Sequence, residues 1–440
     1  MPGSPEDQGV VSDNAFTLDS VPTSGIFYWR IDAIRGQTVI TSDVFSFGIG
    51  SIRVSPNEVV ITAPRSARPQ SATLEVLNGD GERVGWEATT STPWIELPKA
   101  AGTADESLVV ILNPAGLEAG FQEGSVRVSR DGMTLDVPVN LQLFEVNLSK
   151  LIAAPNRPVV YGLQTGERDG PNGYIVSIDS ATGDYLRSFS LKDYATTFAM
   201  HPLENRLYVP LESAQDEIQV FDLASGEELP SLNFPTPPGS FIGNIYPGRV
   251  GRIYIENERF RPALHAIDTT SGEDLGVVVP ATSQFTQPVA VADLTGENLY
   301  RIGRNSLIQR IDISDDNHAL LESQRIASTR GDSAIFPSLS RDGSRLLADR
   351  TVLTSSTEIV SRVPEICQSI SGDGEYIVGT SQLFWAETGF PVASLPKSYA
   401  LVTFSTDDRH LLAWDAWVRE TVSIPLVSLL EPIIPEPRPG

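Results

Sequence analysis

The sequence predicts an all-β protein in which a seven-bladed β-propeller follows an N-terminal Ig-like β-sandwich. A turn-and-strand phrase returns seven times between about residues 150 and 425, and short alternating strands fill residues 51–146. The 35 Gly and 32 Pro are distributed between short apolar runs, where they indicate turns. Strand-rich repeats of roughly 30–50 residues are typical of propeller blades, because each unit buries its core by stacking on its neighbours.

Composition and charge exclude several classes of protein. The chain has 440 residues, a formal net charge of −24 and a sequence pI of about 4.5. An acidic surface of this kind repels phosphate, so we expect no nucleic-acid partner. No apolar run approaches the roughly 20 residues of a transmembrane helix, so we expect no membrane insertion. The single cysteine, Cys367, permits no intrachain disulfide and is expected to lie buried in a strand.

Residues 1–49 are predicted to contain a flexible start and a two-stranded hairpin. The strands are 25–34 and 42–50, with Phe27, Trp29 and Ile31 on one face. The segments YWRIDA (28–33) and DVFSF (43–47) resemble the last strands of a fibronectin type III domain. That resemblance implies a partial domain. The start also lacks a signal peptide, so we expect the chain to be a piece excised from a longer protein.

Residues 50–146 contain seven short alternating strands separated by turn signals, which favours an Ig-like sandwich. Trp94 is expected to face inward and fill the core of this sandwich. The order of motifs resembles a BACON-type domain, an Ig-like module of bacterial carbohydrate-processing surface proteins. The residues that carry this resemblance are Val54-Ser55-Pro56, Trp86, Pro93-Trp94-Ile95, Asn113-Pro114, Gly120 and Val137-Pro138-Val139.

Residues 147–430 carry the repeat, and residues 431–440 form a Pro-rich tail. The equivalent positions of the seven units are Tyr161, Tyr208, Tyr254, Tyr300, Leu347, Ile377 and Leu412. They are separated by 47, 46, 46, 47, 30 and 35 residues, so the fifth and sixth units are shortened. Closure of seven such units into a ring is expected to leave no exposed sheet edge.

A second repeated phrase is an alternating strand that ends in Asp and continues into a Ser/Thr-Gly turn, as at 174–184, 218–228 and 264–274. The Asp is expected to accept hydrogen bonds from backbone N–H groups, and the Gly to adopt a positive φ. The two phrases resemble the YVTN family of surface propellers and, more loosely, lactonase-type and quinoprotein-type propellers. The tryptophan-docking motif of quinoprotein blades is absent, which weighs against a quinone cofactor.

Aromatic residues are the candidate ligand-binding site. Trp and Tyr rings can stack on the C–H faces of a sugar, although core packing is the alternative for each of them. The candidates are Trp385, Trp414, Trp417 and Tyr246. Trp414 and Trp417 lie in the last unit. We expect a binding site where the repeat is irregular, which is in this last unit and in the shortened fifth and sixth units.

Metal and catalytic chemistry has weak support. The four histidines, His201, His265, His318 and His410, lack metal-ligand spacing, although His201-Pro202 resembles a turn of lactonase-type propellers. Acidic clusters at 78–82, 312–317 and 405–409 offer oxygens to Ca²⁺, but solvated turns are expected because the spacing that wraps one ion is missing.

The resemblances imply a non-enzymatic, bacterial, extracellular or cell-surface scaffold whose propeller rim recognises a glycan or a protein partner. One alternative is a propeller enzyme, a lactonase, lyase or glycan-cleaving domain, with its site at the central pore. Converging carboxylates, or a His with an Arg, would favour that alternative. Another is a purely structural cell-envelope module. No catalytic, cofactor-binding or metal residue is assigned, and the ligand and oligomeric state stay open.

Overall fold

The computed structural model describes residues 25–29, 32–35, 38–41, 45–49, 52–78, 81–130, 132–166, 173–212, 217–234, 242–256, 263–280, 289–303, 307–325 and 337–430. For residues 25–49 it describes the strands without their side chains. The predicted flexible start and the Pro-rich tail at 431–440 lie outside the described residues. The chain divides into two compact units, Met1–Phe144 and Glu145–Gly440.

Four short strands begin the first unit: β1 (Gly25–Trp29), β2 (Asp32–Arg35), β3 (Thr38–Thr41) and β4 (Phe45–Ile49). β1 pairs antiparallel with β4, and β2 pairs with β3. The predicted long strand at 25–34 is therefore divided after Trp29. The shared face predicted for Phe27, Trp29 and Ile31 lies outside the described side chains.

Nine further strands form two sheets in the first unit. They are β5 (Arg53–Ser55), β6 (Val59–Pro64), β7 (Gln70–Leu77), β8 (Trp86–Thr89), β9 (Ile95–Glu96), β10 (Ala101–Gly102), β11 (Leu108–Leu112), β12 (Gly120–Arg130) and β13 (Met133–Phe144). The sheet orders are β10-β8-β12-β13-β6 and β5-β7-β11-β9. Seven strands were expected here; β6, which pairs in parallel with β13, and the two-residue β10 are additional.

The prediction that Trp94 fills the core of this unit is wrong. Trp94 precedes β9 and is half-buried, whereas Ile95 is only 4% exposed. Successive side chains of an extended segment point to opposite faces, so Ile95 and Trp94 do not both face inward. The large ring in the core is that of Trp86, whose Nε1 donates a hydrogen bond to the carbonyl of Glu106 at 3.1 Å.

The second unit contains, within its described residues, seven successive antiparallel sheets. The first four sheets are β14 (Lys150–Ala153), β15 (Val159–Gln164), β16 (Tyr174–Asp179) and β17 (Tyr185–Ser190); β18 (Ala199–His201), β19 (Arg206–Pro210), β20 (Glu217–Asp222) and β21 (Glu228–Asn233); β22 (Asn244–Pro247), β23 (Arg252–Glu256), β24 (Leu264–Asp268) and β25 (Asp274–Val279); β26 (Val289–Ala292), β27 (Asn298–Ile302), β28 (Leu307–Asp312) and β29 (Leu320–Arg325).

The last three sheets are β30 (Ser338–Leu339), β31 (Arg345–Ala348), β32 (Thr351–Thr354) and β33 (Ile359–Arg362); β34 (Cys367–Ile370), β35 (Tyr376–Gly379), β36 (Gln382–Trp385) and β37 (Pro391–Ser394); β38 (Leu401–Phe404), β39 (His410–Asp415) and β40 (Glu420–Pro425). The short helix α1 (Leu426–Leu430) follows β40. In the described part of the chain, no helix has the length and apolar character needed to cross a membrane.

The seven sheets form a ring. The first strands of successive sheets are neighbours from β18 through to β38, and β38 lies beside β14. Thr406 Oγ1 donates to the carbonyl of Arg157 at 2.8 Å, and Ser423 Oγ donates to the carbonyl of Ser180 at 2.8 Å. These hydrogen bonds join the last sheet to the first. Small antiparallel sheets arranged consecutively around a closed ring are a β-propeller.

Apolar clusters between neighbouring sheets hold the ring together, as between Phe189 of the first sheet and Phe221 of the second, whose ring centroids are 5.3 Å apart. The predicted repeat positions lie on the second strand of each sheet, and none is more than 2% exposed: Tyr161, Tyr208, Tyr254, Tyr300, Leu347, Ile377 and Leu412. The burial predicted for Cys367 is also confirmed, because its side chain is inaccessible and burial raises the pKa of its thiol to about 12.

The expectation that the ring leaves no exposed edges is wrong. Each sheet ends at an outermost strand whose outer edge pairs with no further strand among the described residues: β17, β21, β25, β29, β33, β37 and β40. Ring closure joins the faces and the innermost strands of neighbouring sheets. It therefore leaves the backbone groups on these outer edges without a ladder partner.

Candidate functional site

The Asp-containing turns between third and fourth strands form as the sequence predicts. Asp222 Oδ1 accepts hydrogen bonds from the backbone N–H groups of Ala224 at 2.8 Å and Ser225 at 2.7 Å, and Gly226 has a φ of +78°. The N–H of Ser225 lowers the pKa of Asp222. Asp179 and Asp268 make the same pair of bonds in their own turns. The same turn therefore follows the third strand in each of the first three sheets.

The second-strand tyrosines connect each sheet to polar groups at this end. The Tyr208 hydroxyl donates to Glu204 at 2.7 Å, and the Tyr300 hydroxyl donates to the carbonyl of Ser355 in the next sheet at 3.1 Å. The Tyr254 hydroxyl lies 3.1 Å from His318 Nε2, also in the next sheet. The tyrosines of the repeat therefore combine core packing with polar contacts between turns.

His201, which resembles a lactonase-type turn in sequence, joins two sheets. Its Nε2 lies 3.1 Å from the carbonyl of Arg249 and 3.2 Å from that of Arg252, and its Nδ1 accepts the backbone N–H of Glu204 at 3.2 Å. The side chain is buried, at 1% exposure. Nε2 therefore contacts the third sheet and Nδ1 contacts the turn that follows β18 in the second sheet, which is a structural use of the histidine.

A cleft of about 370 Å³ opens between the third and fourth sheets, which we call the third–fourth cleft. Its lining residues come from β23, from β25 and from the turn between β28 and β29: Arg252, Leu275, Gly276, Val277, Val278, Asp316, Asn317 and His318. Since the two walls belong to different sheets, residues up to 66 positions apart in sequence, from Arg252 to His318, meet at one place.

His318 forms the inner part of this cleft. Its φ of +44° places it in the left-handed region, and its ring meets that of Tyr254 edge to face, with centroids 5.7 Å apart. Burial lowers the pKa of His318 below its ordinary value. The imidazole is therefore neutral at neutral pH, and it offers a hydrogen-bonding group to the cleft without a full charge.

The charged groups of the cleft are paired with one another. Arg252 Nη1 lies 2.6 Å from Asp268 Oδ2, and Arg252 Nε lies 3.6 Å from Asp316 Oδ1. Asp316 also pairs with Arg249, and this hydrogen bond lowers the pKa of the Asp316 carboxyl. The Asp316 side chain nevertheless remains 67% exposed, so it can accept a further donor from outside.

Apolar side chains make the opposite wall. Leu275 is 43% exposed and Val277 is 53% exposed, although both lie on a strand of the fold. A concave site with apolar walls and a few placed polar groups is the usual form of a recognition site.

The third and fourth sheets are also fixed by a buried ion pair. Arg301 Nε lies 2.8 Å from Glu256 Oε1, with side chains 0% and 2% exposed. Burial raises the pKa of Glu256 to about 7, against the opposing effect of the Arg301 guanidinium. The pair bridges β23 and β27, so the relative position of the two sheets that form the cleft depends on it.

The four aromatic candidates do not come together. Trp414 is fully buried in β39, and Tyr246 is 5% exposed in β22. Trp417 is 95% exposed in the turn after β39, and Trp385 is 41% exposed at the end of β36, stacked on Tyr376 with ring centroids 4.7 Å apart. The turns beside Trp385 and Trp417 lie at opposite ends of the sheets, because strand direction alternates within each sheet.

The centre of the ring bears on the enzymatic alternative. The described innermost strands contain one histidine, His201, and one lysine, Lys150. Its Nζ donates to Thr197 Oγ1 at 2.8 Å, and burial lowers its pKa to about 8. The described innermost strands do not bring two carboxylates, or a His and an Arg, together at the pore. The enzymatic alternative stays a prediction.

The two remaining histidines lie on strands of the third and seventh sheets. His265 Nδ1 lies 3.1 Å from Asp274 Oδ2, and His410 is half-buried at the start of β39. Within the described residues, no group of three or more His, Cys, Asp or Glu side chains is arranged to hold a metal ion. The sequence did not identify the third–fourth cleft, although His318 and the acidic run at 312–317 marked one of its walls.

No protein-family model and no curated protein matches this sequence. Solved structures similar to 64% of the chain include the β-propeller domain of Myceliophteria thermophila Cps50 (Swd1), at 15% identity over 99% of that chain with a TM-score of 0.47. A chain of the mitotic checkpoint complex matches at 14% identity over 91% of its length (TM-score 0.45), and the RRP9 WD40 repeats at 10% identity over 95% (TM-score 0.46). Since these TM-scores are below 0.5, the assignment of a β-propeller rests on the sheet topology described above. Fold and site together define a β-propeller protein with a mixed polar and apolar cleft between two of its sheets.

Proposed function

We propose that this protein is a non-enzymatic scaffold that binds a protein partner at the rim of its propeller, in the third–fourth cleft. The observation that carries the proposal is the lining of that cleft. Two exposed apolar side chains, Leu275 and Val277, stand opposite the exposed carboxylate of Asp316 and the neutral ring of His318. A partner would gain apolar burial and a small number of directed polar contacts at the same place.

The rigidity of the site supports a role in recognition. Its walls are held by the Tyr254–His318 contact, by the Arg252–Asp268 pair and, elsewhere between the same sheets, by the buried Glu256–Arg301 pair. A site that is already formed before binding loses little conformational entropy when the partner arrives.

In the same proposal, the seven sheets are the blades of a seven-bladed propeller. The two sheets of residues 50–146 form an Ig-like sandwich of the BACON type, and the strands before them are a fibronectin type III remnant. These modules would act as a spacer in a bacterial surface or secreted protein. Their alternating strands and the repeat phrases support this proposal, and fold alone does not fix the function.

Site-specific photo-cross-linking tests the proposed function. Benzoylphenylalanine is placed at Val277 in the full chain, and at Leu186 as a matched control, since Leu186 is 40% exposed on the outermost strand of the first sheet. After irradiation in an extract of the source cells, we expect a discrete adduct at position 277 that is lost with His318→Ala. The same adducts at both positions, or none at position 277, would contradict the proposal.

Glycan recognition is a second candidate, favoured by the side chain of Trp417, which is 95% exposed. An exposed indole offers a face on which a sugar can stack. A glycan array probed with the full chain and with Trp417→Ala, in calcium and in chelator, tests it. A glycan whose binding is lost in Trp417→Ala supports this candidate. Equal binding by the two proteins, or no binding by either, rejects it.

A further inference from the structure

The seven outermost strands differ in how their outer edges are protected. An unpaired strand edge offers N–H and C=O groups to another chain, and proteins guard such edges with charged residues and proline. In six of the seven outermost strands, such a residue is placed so that no more than four successive residues lack a charge or a proline. These guards are Arg187, Pro230, Glu322, Arg362, Pro391, and Glu420 with Pro425.

The exception is β25, which forms one wall of the third–fourth cleft. After Asp274 it reads Leu-Gly-Val-Val-Val, so Leu275–Val279 contains neither a charge nor a proline. Among the outermost strands of the described residues this run is the longest. The next, Thr421–Ile424 in β40, is covered: Thr421 Oγ1 and Ser423 Oγ donate to the carbonyls of Gly183 at 2.6 Å and Ser180 at 2.8 Å in the first sheet.

Gly276 leaves room beside the backbone of β25. Its φ is +110°, and a Cβ placed on it would meet no atom within 4 Å. The register between β24 and β25 shifts beside Gly276, and a glycine inside a strand marks such a bulge or a place where another backbone approaches closely. On either side of it, Leu275 is 43% exposed and Val277 is 53% exposed. The edge therefore combines an accessible backbone with apolar side chains that a second strand would cover.

The charge around this edge selects between partners. Arg252 and Arg249 are paired with Asp268 and Asp316, so the cleft presents no free cation among its described residues. Glu273, Asp274 and Asp315 are exposed beside it, and the whole chain carries a net charge of −24. This acidic surround repels a second copy of the chain and attracts a basic side chain.

We propose that the outer edge of β25 binds an extended segment of a partner protein by strand addition. Apolar residues of the segment cover Leu275 and Val277, and a Lys or Arg side chain reaches Asp316 in the third–fourth cleft. Main-chain hydrogen bonds supply the affinity and the alternate side chains supply the specificity, as in other complexes of this kind. This inference rests on the proposed function and specifies the chemistry of the partner.

A displayed library of random dodecapeptides, panned on the full chain, is the probe. We expect enriched sequences that alternate apolar residues with Lys or Arg. Val277→Lys places a guard on the edge and should weaken their binding at least 10-fold. Leu186→Lys, the matched change on the first sheet, should leave binding within 2-fold. Single N-methylation along an enriched peptide should reduce binding at every second position, because alternate residues of an added strand donate to the edge.

The outcomes separate the two proposals. Peptides whose binding requires His318 but whose N-methylation pattern lacks a two-residue period would overturn strand addition and leave the cleft as a binding site. If no enriched peptide depends on Val277 or His318, both proposals fail. Dimerisation of the wild-type chain that is abolished by Val277→Lys, measured by analytical ultracentrifugation, would place a second copy on the edge and overturn the proposed partner.

Discussion

The Tyr254 hydroxyl lies 3.1 Å from His318 Nε2, and the two rings meet edge to face at an interplanar angle of 88°. One residue belongs to the second strand of the third sheet and the other to a turn of the fourth. Tyr254 is a regular position of the sequence repeat, whereas His318 occupies a left-handed position in an irregular turn. Their contact therefore connects the regular core to the wall of the third–fourth cleft.

Removal of the Tyr254 hydroxyl should weaken that wall. We expect Tyr254→Phe to lower the free energy of unfolding by about 1 kcal/mol, because the ring still fills the core while His318 loses a buried partner. Urea denaturation measures the change. Tyr185→Phe is the control, since the buried hydroxyl of Tyr185 has no hydrogen-bond partner of normal geometry among the described residues. Equal loss in both variants would show that the contact with His318 contributes nothing.

The Glu256–Arg301 pair should give the protein a distinct pH dependence. Burial raises the pKa of Glu256 in the folded state to about 7 from its ordinary value of 4.5. The folded state thus binds more protons than the unfolded state between these values, and this contribution to stability is present below about pH 4.5 and lost as pH rises through 7. Relative to Glu256→Gln, the wild type should lose about 3 kcal/mol between pH 4.5 and 8. Denaturation of both proteins across that range measures the difference; a constant difference contradicts it.

Arg301→Met tests the same pair from the other side. At pH 8 the ionised Glu256 would be left buried without its partner, and the expected destabilisation is about 3–5 kcal/mol. At pH 5 protonation of Glu256 should reduce the loss. The double variant with Glu256→Leu, in which neither charge remains, should recover most of the stability at both pH values. A double variant as unstable as Arg301→Met at pH 8 would refute this account.

The closure of the ring can be probed at Gly183. Gly183 and Gly343 both have positive φ, +79° and +71°, but a Cβ on Gly183 would lie 3.3 Å from backbone atoms of the seventh sheet, whereas one on Gly343 would meet nothing within 4 Å. Alanine at Gly343 should cost about 1 kcal/mol for its backbone conformation. Alanine at Gly183 should cost more, because Thr421 and Ser423 must also move. Thermal unfolding of the two variants measures the two losses of stability. Equal losses would mean that the backbone of the seventh sheet moves away from the added Cβ at little cost.

The two tryptophans of the last sheet should behave differently. Trp414→Ala removes a fully buried ring and should cost about 3–5 kcal/mol. Trp417→Ala removes a ring that is 95% exposed and should change stability by less than about 0.5 kcal/mol. Chemical denaturation measures both, and a large loss in Trp417→Ala would show that its ring packs against the protein in solution.

Several features of the fold could be read from the sequence because they depend on neighbours along the chain. The turn of Asp222 and Gly226 follows from hydrogen bonds between residues two or three positions apart and from the freedom of Gly at positive φ. The burial of Tyr208 and Ile377 follows from their place in a periodic strand. The same reasoning failed for Trp94, since a two-residue strand has too short a pattern to fix which face turns inward.

By itself, the sequence determined the repeating units, their turns and the buried second-strand positions, all of which arise from local backbone chemistry and strand alternation. Only the tertiary structure showed that Trp417 reaches the surface while Trp414 is buried. Only the tertiary structure placed Arg252 and His318, which belong to different sheets, in one cleft. It also showed that β25 is an outermost strand whose outer edge pairs with no other strand in the described part of the chain. These features depend on how neighbouring sheets pack around the ring, and contacts between residues tens of positions apart leave no period in the sequence.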